Sequence, residues 1–245
     1  MKKVVLFKSV SEEYEKVFTD NNFEVIFIEP LQFTFINTEE LNNKLTQNYD
    51  GLILTSPRAI EAVANLWNPS KFVLWNTKKV YTVGEASRQN VALRLGLEAL
   101  GSTSGNAENL AKIIADNNSK CSKFLFPCGN KKSETLPNLL QSAEIDVDAV
   151  TVYETKENEN LQKQLMKVTN LEKELLCVVF FSPSGCEYVY RTLQTLYNRL
   201  SDVPHFAIGN TTAHKIENFG VEIAGVAAKP SASSMVETIQ KYFAS

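Results

Sequence analysis

The sequence is short of the residues from which metal centres and hydrolase triads are built. It contains two histidines, His205 and His214, nine positions apart, and four cysteines, Cys121, Cys128, Cys177 and Cys186. No two cysteines stand in a CxxC spacing and no histidine lies near one, which argues against zinc or a redox pair and for reduced, partly buried thiols. No Lys/Arg run is longer than two residues and the net charge is −3, so a nucleic-acid partner is not expected. No apolar run approaches the ~20 residues that span a bilayer. The apolar part of MKKVVLFKSV ends at Lys8, too short for a signal peptide. A cytoplasmic protein with no membrane partner is expected. Of the ten glycines, none sits in a GxGxxG or Walker sequence, so there is no nucleotide fingerprint.

What is present is repetition. Leu52–Ala64, LILTSPRAIEAVA, has a second copy in Val178–Tyr190, VVFFSPSGCEYVY. In each, four apolar residues lead into Ser-Pro and then an amphipathic run. The apolar half reads as a buried strand of a parallel sheet. Ser56 or Ser182 then caps a helix, with Pro57 or Pro183 in the first helical position, where a missing N–H costs nothing. The copies extend through Val80–Ser87 and His205–Thr212, through Gly96 and Gly220, and through Gly105–Ile114 and Pro230–Ile239, always 124 to 126 residues apart. Two similar α/β units are implied, within a length of 245 residues that allows two small cores.

The rest of the chain fills in around these copies. Lys3–Phe7, a helix over Glu12–Asn21, and Phe23–Ile28 form a strand–helix–strand unit that ends at Pro30. A comparable unit runs from Lys123 to Glu154. Leu31–Ile36 alternates and reads as an extended connector rather than a core strand. Helices are expected over Thr38–Gln47, from Gly84 to a stop at Gly96, over Ala107–Ala115, over 133–142 and over Glu157–Val168. With the strand–helix–strand unit as A and the Ser-Pro unit as B, the order is A, B, A, B. Two assemblies fit: a tandem pair, 1–117 and 120–245, or a nested form in which the middle B and A make one domain. Either way the sheets are mainly parallel.

Ligands of open parallel sheets bind outside the carboxyl ends of the strands. Four loops lie there: Thr55–Arg58, Val83–Ser87, Ser182–Gly185 and Gly209–Thr212. All are hydroxyl-rich and open helices, whose free N–H groups favour anions. Taken singly, these hydroxyls are ordinary helix caps; the repetition at four equivalent strand ends suggests a shared anion site. Arg58 is the one guanidinium in these loops, with Ser184 in its place in the second copy. Lys131 and Lys132 precede another helix, and Tyr153 ends a strand at the boundary. From the residues alone three readings stay open: an enzyme acting on a polyanion, a two-lobed non-catalytic binder or sensor of a small polyanion, and a glycosyltransferase-like pair of nucleotide domains.

In order along the chain, TSPRAIEA, the VG of VGEAS, GNAENLA, LFPCGN, VTVYET, FFSPSG and IGNTTA resemble uroporphyrinogen-III synthase, particularly its animal members. The resemblance runs from about Val4 to the C-terminal helix. It implies the nested assembly: two flavodoxin-like, doubly wound parallel-sheet domains, 1–34 with 158–245 and 36–155, joined by extended connectors near Gln32–Asn37 and Tyr153–Glu157, with the site in the cleft. It implies an enzyme without cofactor or metal, a monomer, that dehydrates and closes hydroxymethylbilane with inversion of ring D through a spiro intermediate. It assigns Tyr153 as proton donor, and Ser56, Arg58, Gly84, Ser87, Ser182, Gly209, Thr211 and Thr212 as substrate contacts. Glu85 puts a carboxylate in a loop meant for carboxylates and is expected to turn away, while Asn210 stands where relatives often have proline.

Overall fold

A computed structural model of the chain describes residues 2–196, 200 and 203–244. Its residues divide into two compact units, 1–32 with 156–245 and 33–155.

In the first unit β1 (Lys2–Phe7), α1 (Glu12–Asp20) and β2 (Phe23–Phe27) come from the start of the chain. The later part supplies α7 (Leu161–Thr169), β9 (Leu175–Phe180), α8 (Pro183–Thr195), β10 (His205–Ala207), α9 (Asn210–Glu217), β11 (Ile223–Val226) and α10 (Ala232–Ala244). The sheet order is β11-β10-β9-β1-β2, and every pair in it is parallel. The central strands are apolar on both faces because helices cover both. Val5 and Phe7 pack with Cys186 and Val189 of α8 on one side, while Val4 and Leu6 pack with Phe18 of α1 and Met235 of α10 on the other.

The second unit holds β3 (Leu31–Phe35), whose first two residues precede its boundary, α2 (Thr38–Lys44), β4 (Gly51–Leu54), α3 (Pro57–Ala64) and β5 (Lys79–Thr82). It continues with α4 (Glu85–Leu95), β6 (Ala99–Leu100), α5 (Ala107–Asp116), β7 (Lys123–Gly129), α6 (Thr135–Ser142) and β8 (Asp146–Glu157), whose last two residues pass its boundary. Its order is β3-β8-β7-β4-β5-β6, with β4 to β8 joined by parallel pairings. Leu52 and Leu54 face one core and Ile53 the other, the period-two pattern of a strand covered on both sides.

These sheet orders choose the nested assembly over the tandem one: β1 sits beside β9, not beside β4. Numbered along the chain, the first sheet reads 2-1-3-4-5, the flavodoxin order. The second has the same order if its count starts at β7, so it is a circular permutation with β3 added at the edge. The expected connector Leu31–Ile36 is thus an edge strand; Ile36 N–H donates to the Val152 carbonyl at 3.0 Å. The helix expected from Glu157 starts at Leu161, because β8 stays extended to Glu157. A short 3₁₀ turn, Val73–Thr77, was not foreseen; it buries Trp75, whose indole N–H donates to the Leu45 carbonyl.

Candidate functional site

The two Ser-Pro turns fold as their sequences dictate. Ser56 and Ser182 are extended N-cap residues whose Oγ atoms each accept the backbone N–H three positions on, from Ala59 and Gly185, at 3.0 Å. Gly84 and Gly209 cap α4 and α9 without a side-chain bond. Gly84 has φ +81, in the left-handed region that glycine occupies without strain. All four helix starts stand at carboxyl ends of parallel strands, with first-turn N–H groups suited to anions.

In the first unit the strand order reverses between β1 and β9, so loops after both meet there. Ser182 lies in that region, and Ser184 is half-buried. Lys8, which sequence reasoning did not single out, leaves β1 there. Its ammonium lies 3.5 Å from the Tyr14 ring centre and 4.8 Å from that of Phe181, and burial pushes its pKa below the ordinary lysine value. Thr211 is exposed on the first turn of α9, whereas Thr212 is buried.

In the second unit the reversal lies between β7 and β4. A cavity of about 200 Å³ sits there, lined by Ser56, Gly129, Lys131, Lys132, Tyr153 and Thr155 among others. The half-buried Tyr153 hydroxyl donates to Ser56 Oγ at 3.1 Å. Arg58 does not stand in open solvent: its Nη1 bonds the Glu61 carboxylate at 2.7 Å, and its guanidinium lies 4.5 Å from the Phe33 ring centre. That same ring and the Tyr153 ring meet edge to face, 6.4 Å between centroids. Lys132 is ion-paired with Glu134. Ser87, on the first turn of α4, is buried. Glu85 is neutralised by Arg88, whose Nη2 reaches it at 2.7 Å, and this bond holds its carboxyl below the usual range.

Of the sequence candidates, the structure therefore brings Ser56, Arg58 and Tyr153 together, with Lys131 and Lys132 beside them. Gly84 and Ser87 start a different helix of that unit; Ser182, Gly209, Thr211 and Thr212 belong to the other unit. Phe33 and Gly129 also shape the site and carried no chemical signal in the sequence. A larger cavity, about 500 Å³, lies in the first unit beside Tyr190, His205, Phe219 and Ile223. His205 and Ile223 open β10 and β11, so this cavity is at the amino ends of the strands, away from the helix starts. The candidate loops are at the opposite end, where ligands of such sheets bind. Among the described residues no group of three or more His, Cys, Asp or Glu side chains is placed to hold a metal ion. No described helix is long and apolar enough to cross a membrane.

The chain matches the family model described as uroporphyrinogen-III synthase HemD over residues 12–237. It is 26% identical to a uroporphyrinogen-III synthase of Schizosaccharomyces pombe, across 98% of this chain and 96% of that protein. Among solved structures, the fold is similar to a uroporphyrinogen-III synthetase of Helicobacter pylori (TM-score 0.67, 16% identity, 98% and 99% of the two chains). A mutant uroporphyrinogen III synthase of Thermus thermophilus is also similar (TM-score 0.63, 13% identity, 100% and 99% of the two chains).

Proposed function

Because the chain belongs to the uroporphyrinogen-III synthase family, we propose that its helix-start loops hold hydroxymethylbilane while Tyr153 supplies the proton that expels water. The activity is that of a cyclising lyase of porphyrin and haem biosynthesis, and the substrate class is a tetrapyrrole. The assignment of roles is supported above all by the Tyr153–Ser56 hydrogen bond beside a cavity bearing two lysines.

The substrate carries acetate and propionate groups on every pyrrole ring. First-turn N–H groups, helix dipoles and ammonium groups suit such carboxylates better than any single side chain would. The cavity is smaller than the roughly 300–1,000 Å³ of a whole-ligand pocket, so it takes one ring or its acid arm, with the remaining rings on other loops. Ser56 Oγ is fixed by the Ala59 N–H and so holds the phenol of Tyr153 at a defined point. Rotation about the phenol C–O bond turns the proton from Ser56 to the substrate hydroxyl. As it transfers, the C–O bond breaks, water leaves, and the pyrrole nitrogen supplies the electron pair. The electrophilic methylene is then attacked by the substituted α-carbon of ring D, giving the spiro intermediate. The old bond from that carbon to the methylene shared with ring C then breaks, the ring C nitrogen supplying the electron pair, and the freed electrophilic methylene is attacked by the unsubstituted α-carbon of ring D. The proton lost from that carbon as ring D regains aromaticity restores the phenol. General acids of this kind contribute on the order of 10²–10⁴-fold; holding ring D for attack through its substituted carbon supplies the selectivity.

The test is to supply hydroxymethylbilane to the purified protein and resolve the isomers. The expected product is the type III isomer in place of the type I isomer formed unaided. A mixture matching the enzyme-free control would leave only the non-catalytic binder.

A further inference from the structure

We infer that Gly129, together with the bulge opposite it in β8, is a positioning residue for Tyr153, keeping open the space in which the phenol ring lies and so aiming its hydroxyl at Ser56. The inference rests on the proposed role of Tyr153 as the acid.

Two independent features lead to it. The first is register. β7 and β8 pair residue for residue from Lys123 with Asp146 to Cys128 with Thr151, but the next pair is Gly129 with Tyr153. Val152 is therefore an extra residue, the signature of a bulge, a device that re-aims a side chain. Strict alternation would send Val152 and Tyr153 to opposite faces. Instead Val152 is buried in the core beneath α3, and Tyr153 packs against that same core.

The second is space. A Cβ built on Gly129 would lie 2.5 Å from Tyr153 Cζ and 2.7 Å from both its Cε2 and its hydroxyl oxygen. Gly129 does not have a positive φ, so the need for glycine here is close approach rather than backbone conformation. The backbone of β8 on either side of the ring cannot easily retreat. Asn130 N–H donates to the Tyr153 carbonyl at 3.1 Å, and Asn130 Oδ1 accepts the Thr155 N–H at 3.0 Å. An added methyl group must therefore move the ring, away from Ser56 or toward Phe33.

A double-mutant cycle in the full-length protein tests this. Gly129→Ala should lower kcat on the order of 10²-fold, the scale of a ~1 Å misplacement, with KM changed less than about threefold. In a Tyr153→Phe background, whose ring still meets the new methyl, Gly129→Ala should lower kcat no further. An equal loss in both backgrounds would make the role merely structural and overturn the inference, as would an unchanged kcat in Gly129→Ala alone. If Tyr153→Phe by itself leaves kcat intact, the acid assignment fails instead, and the positioning role falls with it. Should Gly129→Ala not fold, Gly129→Ala/Tyr153→Ala must, because the ring that the methyl meets is then gone. Failure of both to fold would locate the demand in the backbone and overturn the inference.

Discussion

At the scale of single residues, the proposed function sets one proton donor, Tyr153, among many interchangeable contacts. Thr211 is exposed on the first turn of α9, beside backbone N–H groups that substitution does not remove. Thr211→Ala should cost about 0.5–1.5 kcal/mol, one net hydrogen bond, or roughly two- to twelve-fold in kcat/KM. Tyr153→Phe should lower kcat by about 10²–10⁴-fold with KM nearly unchanged. If steady-state kinetics find it no worse than Thr211→Ala, departure of water is assisted by the substrate itself. A different residue should contribute to acid stability. His205 is 2% exposed, stacked at 5.9 Å on Phe180 and 6.0 Å on Tyr190, and burial lowers its pKa to about 4. Its unfolded value is about 6.5. Since the folded value is depressed, the unfolded chain binds the proton first as pH falls. The stability linked to His205 is therefore full above about pH 6.5 and is lost toward pH 4, up to on the order of 3 kcal/mol. His205→Phe should keep the stack and flatten Tm against pH in that window; an unchanged acid slope would refute this. His205 was legible in the sequence as the start of a repeated segment and as a residue unsuited to a metal cluster. Its stacking depends on which strands become neighbours.

At the scale of elements, the Ser-Pro turns were readable because the signals are local: extended Ser, then Pro where no N–H is needed, then apolar residues at helical spacing. The stop of α4 at Gly96, φ +70, was readable for the same reason. Edge pairing was not, since the alternation of Leu31–Ile36 says nothing about its partner. β8 reaching Glu157 was likewise hidden, because polar Lys156 and Glu157 suit a helix as well as a strand end. The serine caps hold their helix starts and, on the proposed function, also meet the substrate, two duties that can be separated. Ser182→Ala should destabilise the protein by about 1 kcal/mol in chemical denaturation and lower kcat/KM by a few fold. Ser182→Asn keeps a capping oxygen, so it should recover the stability while kcat/KM stays reduced. Recovery of both would mean that Ser182 only caps α8.

At the scale of the whole molecule, each unit has the 2-1-3-4-5 strand order, and the second reaches it by permutation. A unit whose elements are contiguous from residue 33 to 155 has its own two-faced core, so the fragment 33–155 should fold cooperatively alone. The fragment 1–117 should not, as it takes β1 from β9 and β4 from β7. Circular dichroism melts of both fragments decide it; a cooperative 1–117 would argue for tandem folding. What the sequence determined by itself was everything short in range: two α/β repeats, the helix caps, the hydroxyl-rich loops at strand ends, and the poverty of metal ligands. Those features depend on residues within a few positions of one another. The pairing of β1 with β9, the gathering of Ser56, Phe33, Gly129 and Tyr153, and the burial of Thr212 were decided only by the tertiary structure. The reason is physical: an apolar strand is equally ready to pair with any parallel neighbour. Which one it meets depends on the free energy of burying both faces of a whole sheet, a quantity that no local pattern contains.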